Sequence, residues 1–282
     1  MIDRAAIDVF EHEPPTDSPL ISRDKIIVTP HLGASTVEAQ EKVAVSVSEE
    51  IIDILTNGTV EHAVNAPKMD LSNVDETVKS FVDLGTTIGE FAIQLLEGAP
   101  SEIKITFAGD LATNDTSLIT RTIVTNILKE DLGEEVNIIN ALALLNQQGV
   151  TYNIEKQKKH SDFSSYVELE LTNDKDQIKI GATVLAGFGP RIVRINDFSL
   201  DFKPNEYQIV TCHKDKPGIV GQTGNLLGSH GINIASMTLG RNNEGGDALM
   251  ILSIDQQASL EVINILRETG GFNRIISTKL TI

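Results

Sequence analysis

A histidine and a glutamate stand in two loops where they could form a proton-transfer pair. Glu13 follows the apolar run Ala5–Phe10, and His31 follows the run Lys25–Thr29. A carboxylate that binds a histidine fixes the tautomer of the ring and raises its pKa toward values useful to a general base. The alternative is that both are solvated loop residues, because isolated histidines and glutamates are common.

Two short strands and a long helix must position this pair. Ala5–Phe10 and Lys25–Thr29 are typical of buried strands, and loops after consecutive strands can meet at one edge of a sheet. We expect these strands to be the tail of an α/β sheet whose beginning lies outside this chain. The capping-box spacing at Ser35 predicts a helix that ends at Asn57, and a further strand is predicted over 60–66.

The composition restricts the classes of protein to consider. Among 282 residues, 23 are Lys or Arg and 40 are Asp or Glu, so the net charge of −17 argues against nucleic-acid or membrane-surface partners. Cys212 is the only cysteine, so we expect neither a disulfide nor a cysteine-held metal or iron–sulfur cluster. No segment is typical of a membrane span or a signal peptide, which predicts a cytoplasmic protein.

Pattern changes along the chain predict three domains, over residues 1–66, 67–204 and 205–282. The middle one opens with helical patterns, including one over 136–145, and continues with strand patterns, which favours an α+β fold. The last one has the order βαββαβ, the ferredoxin-like motif. The predicted fold class is therefore α+β, preceded by a remnant of an α/β domain, with residues 203–205 as a linker.

The first domain carries a long and specific family resemblance. The runs Ala6–Pro14, Ser18–Leu20, Val28–Thr36 and Glu38–Gln40 resemble the D-2-hydroxyacid dehydrogenases, and most of all the phosphoglycerate dehydrogenases. The resemblance implies NAD as the cofactor. It also implies that His31 is the general base for the substrate hydroxyl, that Glu13 pairs with it, and that Asp8 contacts the nicotinamide end of NAD.

Two motifs of that family do not occur in this sequence. It has no strand followed by a Gly-x-Gly-x-x-Gly loop, which brings backbone N–H groups to the cofactor pyrophosphate. It also lacks the Asn-x-Ser-Arg-Gly motif that supplies a substrate-binding arginine. We therefore expect NAD to bind well only to a full-length enzyme, and we expect this chain alone not to oxidise 3-phosphoglycerate.

The middle domain resembles the allosteric substrate-binding domain of long-form members of the family. The matching runs are Phe107–Ala112, Val136–Ala141 and Gly189–Asn196. The resemblance implies an anionic, phosphorylated small-molecule effector, which Arg191 and Arg194 could grip. The alternative, which we favour, is that these are solvated strand-end charges. The middle domain also has a basic cluster, which consists of Lys156, Lys158, Lys159 and His160.

The last domain resembles an ACT domain, a module that senses amino acids. The runs His213–Val220 and Gly231–Ile234 carry the resemblance. Asp215 could bind the ammonium of an amino acid, and the N–H groups that open the next helix could bind its carboxylate. In the family these domains pair side by side and hold L-serine between them, which implies His213, Asp215 and Asn233 as effector-binding residues. Otherwise Asp215 is a helix-start acid and Asn233 a turn residue.

Three hypotheses about function remain open. The chain is either the C-terminal, regulatory part of a phosphoglycerate dehydrogenase of L-serine biosynthesis or a freestanding serine-sensing module. A subunit of an L-serine dehydratase is disfavoured, because such enzymes need cysteine-held iron–sulfur clusters and the chain has one cysteine. Under the first two hypotheses we expect a homo-oligomer, at least a dimer, formed through edge strands of the last domain.

Overall fold

The computed structural model describes residues 3–57, 62–64, 76–269 and 271–282. These residues form two compact units, one made of residues up to 64 and the other of residues from 76 onward. Among them, no helix is long and apolar enough to cross a membrane. Within the same residues, no group of three or more His, Cys, Asp or Glu side chains is arranged to hold a metal ion.

The first unit contains two strands and one long helix. Strands β1 (Ala5–Ile7) and β2 (Ile26–Val28) are parallel, and helix α1 (Val37–Asn57) follows them. Thr36 caps the helix, because its hydroxyl accepts the N–H of Ala39 at 3.2 Å. The helix ends at Asn57, as the sequence predicts, but its cap is Thr36 and not the predicted Ser35. Most of the predicted strand over 60–66 lies outside the described residues, and the described residues 62–64 are not in a strand.

The second unit begins with a six-stranded sheet and the helices that cover it. Its elements are α2 (Glu76–Leu95), β3 (Glu102–Gly109), α3 (Ser117–Leu132), α4 (Ala141–Gln147), β4 (Thr151–Gln157), β5 (Ser165–Thr172), β6 (Gln177–Leu185), β7 (Gly189–Ile195) and β8 (Phe198–Phe202). The strands lie in the order β4-β3-β5-β6-β7-β8, and in this sheet only β3 and β4 are parallel. The helices α2 and α3 contribute buried Phe81, Ile88 and Ile123 to the core.

Two elements of this sheet region differ from the sequence prediction. The helix predicted over 136–145 begins only at Ala141, because Asn137 and Asn140 bind neighbouring backbone N–H groups with their side-chain oxygens. Strand β8 was not predicted. It pairs with β7 alone and ends directly before the predicted linker.

The last elements form the predicted ferredoxin-like arrangement. They are β9 (Tyr207–Lys214), α5 (Ile219–Ser229), β10 (Ile234–Arg241), β11 (Asp247–Ile254), α6 (Leu260–Glu268) and β12 (Phe272–Lys279). The sheet order is β10-β11-β9-β12, with every neighbouring pair antiparallel. One sheet face packs against α5 and α6 through Ile209, Leu227 and Leu266, among others. The α+β fold class and the βαββαβ order are thus confirmed.

The opposite face of this last sheet packs against the middle part of the chain. Val210, Leu249, Ile251 and Leu280 belong to the same buried core as α2 and the six-stranded sheet. The guanidinium of Arg274 strengthens the contact, donating to Asp176 at 2.9 Å and to the Leu95 carbonyl at 2.5 Å. Residues 76–282 therefore share one principal core, although the sequence predicts two domains within them.

Candidate functional site

In the first unit, the structure brings the predicted pair His31 and Glu13 into contact. Nδ1 of His31 lies 2.8 Å from one carboxylate oxygen of Glu13, and the other oxygen accepts the N–H of Phe10 at 3.0 Å. Because a carboxylate can only accept, Nδ1 of His31 carries the shared proton. The ring atom Nε2 is then left as the one that could take a proton from a substrate.

The electrostatics of this pair favour its charged form. The hydrogen bond from His31 holds the pKa of Glu13 below its usual value, with a further contribution from the Phe10 N–H. The same bond, together with the carboxylate charge, raises the pKa of His31 above 6.5. Both side chains are partly exposed, at 51% for His31 and 35% for Glu13, so solvent screens the interaction.

Asp8 fixes the loop that carries His31. Its carboxylate accepts the Thr29 hydroxyl at 2.5 Å, the Leu32 N–H at 2.7 Å and the Gly33 N–H at 2.8 Å. These donors, with the Thr29 hydroxyl foremost, hold the pKa of Asp8 below its usual value. His31 itself has φ 56°, a left-handed conformation that is unfavourable for residues other than glycine. The Asp8 contacts on either side stabilise this conformation, and a role for Asp8 toward NAD stays a prediction.

In the last domain, Asp215 pairs with an arginine that sequence reasoning missed. Nη1 of Arg241 donates to Asp215 at 2.7 Å, and the Gly245 N–H approaches the same oxygen at 3.3 Å. The bond to Arg241 is the main reason why the pKa of Asp215 lies below its usual value. The residues are 26 positions apart, and the pairing of β10 with β11 and of β11 with β9 brings them together.

His213 lies next to this ion pair, beneath the surface. Its side chain packs edge-on against Phe272 with 5.7 Å between ring centroids, and Nδ1 lies 3.3 Å from the Thr211 hydroxyl. Burial lowers the pKa of His213, partly opposed by the charge of Asp215. His213 is therefore a neutral neighbour of the pair, and only 2% of the residue is exposed.

Asn233 lies at the other end of the same sheet. It directly precedes β10, whose first residue lies across the sheet from Tyr207, at the start of β9. Arg241, the last residue of β10, lies across the sheet from His213, near the end of β9. Seven residue-to-residue steps of about 3.3 Å each separate the first and last residues of β10 by about 23 Å. The Asn233 amide donates to Asp255 at 2.7 Å. One copy of the domain therefore does not bring Asn233 to Asp215.

The two arginines of the predicted anion site lie on one face of the six-stranded sheet. Arg191 lies opposite Thr183 and Arg194 lies opposite Gly181 in the neighbouring strand β6. The two arginines are three residues apart and their partners two, since a bulge at Val193 adds one residue to β7. Arg191 is engaged by Asp201 at 2.6 Å. In the basic cluster, Lys156 donates to the Asn114 carbonyl at 2.8 Å.

An aromatic cluster beside Arg194 was not predicted from the sequence. His160 stacks on Tyr166 with 4.1 Å between ring centroids, and Phe163 lies parallel to the same ring at 5.9 Å. The Tyr166 hydroxyl donates to Glu168 at 2.9 Å, and burial raises the pKa of Tyr166 strongly. A Cβ at Gly181 would lie 2.1 Å from this hydroxyl, so only glycine leaves room for the ring.

Three family models match the chain and define its class. Residues 1–33 match the NAD-binding domain of the D-isomer specific 2-hydroxyacid dehydrogenases. Residues 77–196 match the D-3-phosphoglycerate dehydrogenase intervening domain, and residues 207–271 match the ACT domain. The chain thus combines the end of a dehydrogenase cofactor domain with an intervening and an ACT domain.

Individual relatives agree with these matches. D-3-phosphoglycerate dehydrogenase of Bacillus subtilis is 34% identical over 276 residues, which cover 98% of this chain and 52% of the relative. The enzyme of that name from Synechocystis is 35% identical over 99% of this chain and 50% of its own length. The chain is therefore similar to D-3-phosphoglycerate dehydrogenases over nearly its whole length, and it spans about half the length of the curated relatives it matches.

Proposed function

We propose that this chain is the regulatory part of an NAD-dependent phosphoglycerate dehydrogenase and that it binds L-serine between the last domains of two copies. The placement of Asp215 and Asn233 at opposite ends of one sheet carries the proposal. A ligand that needs both residues requires a second copy turned end for end.

The edge of the last sheet supports this assembly. Strand β10 pairs with β11 on one side, and no other described strand pairs with it. If two β10 strands pair antiparallel about a two-fold axis, with residue 234 opposite residue 241, Asn233 of one copy reaches the Asp215 end of the other. Met237 and Leu239, which are 46% and 42% exposed, would be covered in such a dimer.

The ligand groups would find complementary partners there. Asp215 would accept the ammonium, and the amide of Asn233 from the other copy both donates and accepts. The N–H groups that open α5 at Ile219 face no side-chain cap and would bind the carboxylate. The serine hydroxyl distinguishes this ligand from glycine and alanine.

We propose that His31 and Glu13 act in catalysis only within a complete enzyme. In that enzyme NAD would accept the hydride, and His31 would take the hydroxyl proton of 3-phosphoglycerate at Nε2, with Glu13 holding the ring in place. This sequence holds no Gly-x-Gly-x-x-Gly loop for the pyrophosphate. We expect no NADH formation by the purified chain, and NADH formed from 3-phosphoglycerate would disprove this part of the proposal.

A freestanding serine sensor is the second candidate. It is supported by the core of residues 76–282, to which no described residue of the first unit contributes. The nucleotide sequence upstream of residue 1 distinguishes the two candidates. A cofactor domain encoded in frame supports the enzyme, and its absence supports the sensor.

For the middle domain we propose that a phosphorylated effector would bind mainly through Arg194, because Arg191 is paired with Asp201. Titration with phosphoserine should show binding that Arg194→Gln weakens and Lys175→Gln, on a distant turn, does not. Equal binding by both variants would contradict an anion site at Arg194.

Titration calorimetry with L-serine tests the main proposal. We expect saturable binding of L-serine, weaker binding of D-serine and glycine, and loss of binding in Asn233→Ala. Asn225→Ala, on the exposed side of α5, is the matched control and should bind as the wild type does. Light scattering should show a dimer. Absence of L-serine binding by a confirmed dimer would refute the regulatory function.

A further inference from the structure

We propose that Arg241 binds the α-carboxylate of the effector alongside the N–H groups that open α5, so that Asp215 and Arg241 together select a zwitterion. This inference rests on the proposed serine site. It adds a residue that neither the sequence resemblance nor the family matches assign. The observation behind it is a partly exposed ion pair of 2.7 Å at the end of β10, whose outer edge pairs with no described strand.

Both members of the ion pair, the Asp215 carboxylate and the Arg241 guanidinium, keep groups that a ligand could bind. Within the described part of the chain, only one carboxylate oxygen of Asp215 has partners, Arg241 and the Gly245 N–H. Toward the described residues Arg241 donates through Nη1, and its Nε and Nη2 groups have no partner among them. An ammonium could therefore bind the second oxygen of Asp215 while a carboxylate binds Arg241, without breaking the existing contact.

Both side chains of the ion pair are exposed enough for a ligand to reach them. The Asp215 side chain is 19% exposed and that of Arg241 is 55% exposed. His213, two residues before Asp215, is buried, and its burial lowers its pKa. The ion pair by itself is neutral. A molecule with a single charge would therefore leave one residue of the pair unmatched, whereas an α-amino acid matches both.

The geometry of the proposed dimer brings the second copy to the same place. Arg241 is the last residue of β10, so antiparallel pairing of two such strands sets the Asn233 end of the partner copy beside it. The effector carboxylate would then join a cation of one copy to an amide of the other. Arg241 thus links ligand binding to dimer formation.

Matched ligands separate the roles of the two charges. L-serine has both ionic groups, serinol has only the ammonium, and L-glycerate has only the carboxylate. We expect the wild type to prefer L-serine over serinol by at least about tenfold, since a hydrogen bond to a charged group contributes about 1.5–3 kcal/mol. Arg241→Gln should reduce this preference by weakening L-serine binding more than serinol binding. Arg241→Lys should restore part of it.

A neighbouring ion pair supplies the control. Lys214 lies 2.7 Å from Asp247 at the same end of the sheet, with about half of each side chain exposed. Lys214→Gln should keep the wild-type preference. If the wild type binds L-serine and Arg241→Gln keeps the full preference over serinol, the assignment of Arg241 is wrong while the serine site stands. If the wild type binds no L-serine, the proposed function fails and this inference with it.

Discussion

Nδ1 of His31 lies 2.8 Å from the carboxylate of Glu13, a residue 18 positions earlier in the chain. The contact requires both loops to hold their shape, and each has its own internal support. Glu13 also accepts the Phe10 N–H, and Asp8 accepts the N–H groups of Leu32 and Gly33. The pair is therefore built by this chain alone.

The first prediction concerns the titration of His31. Because Glu13 raises the pKa of His31 above 6.5, Glu13→Gln should bring it down toward 6.5. A pH titration of the imidazole proton resonances by NMR measures this, with His31→Gln used to assign the signal. Glu11→Gln is the control and should leave the titration unchanged. A His31 pKa that is the same in the wild type and in Glu13→Gln would contradict the observed contact.

The second prediction concerns His213 and stability at acid pH. Burial lowers the pKa of His213 in the folded state, so the unfolded chain binds a proton that the folded chain does not. Its contribution to stability is present above about pH 6.5 and falls as the pH drops below that value. Urea unfolding at about pH 7.5 and about pH 5.5 should show this loss in the wild type.

His213→Gln should unfold with less dependence on pH over the same range, even if its stability is lower throughout. His230→Gln, at an exposed position after α5, serves as the control and should keep the wild-type dependence. If His213→Gln and the wild type lose stability equally on acidification, another group is responsible.

The third prediction concerns the shared core of residues 76–282. Leu249 is 6% exposed and lies on the face of the last sheet that packs against the middle domain. Leu249→Ala should lower the free energy of unfolding by about 2–5 kcal/mol. Calorimetry should show one shifted transition for these residues. Separate transitions for the middle and last domains would contradict a shared core.

Leu260→Ala tests whether the loss comes from burial. Leu260 is 81% exposed at the start of α6, so its removal should change the free energy of unfolding by no more than about 0.5 kcal/mol. A loss at Leu260 as large as that at Leu249 would mean that burial does not explain the effect.

The fourth prediction compares two glycines. A Cβ at Gly240 would lie 2.7 Å from the Leu200 side chain and 3.1 Å from the Ser199 carbonyl, between β10 and β8. Gly240→Ala should therefore destabilise the protein by about 1–3 kcal/mol. A Cβ at Gly224 in α5 would meet nothing within 4 Å. Gly224→Ala should stabilise it by about 0.5–1 kcal/mol, and thermal unfolding that shows the same sign for both would refute the packing at Gly240.

The elements that the sequence predicts well have simple local signals. The βαββαβ order follows from apolar runs bounded by glycine and proline, and the contact of His31 with Glu13 follows from loops after neighbouring strands. Strand β8 has a signal that was missed: Phe198, Leu200 and Phe202 alternate with Ser199 and Asp201, but the pattern spans only five residues. The start of α4 depends on asparagine side chains that compete for backbone N–H groups, which periodicity does not report.

Arg241 shows a different limit of sequence analysis. Its partner Asp215 is 26 residues away, and nothing in either local pattern connects them. The connection depends on strand register, which places Arg241, Ala248 and His213 in one row. Residues joined by register become visible only when the sheet is known. This is why the contact between His31 and Glu13 could be predicted and the ion pair of the last domain could not.

The order of strands in the two sheets also determines when each strand can find its pairing partners during translation. β3 and β9 are each the first strand of their sheet to be synthesised, yet each lies between two strands made later. Glu102 in β3 has its antiparallel partner at Thr172. At about 5–20 residues per second, the ribosome needs roughly 4–14 s to supply that partner. During this interval α2 and α3 are already available to cover the apolar side of β3, which would protect a nascent strand from pairing with other chains.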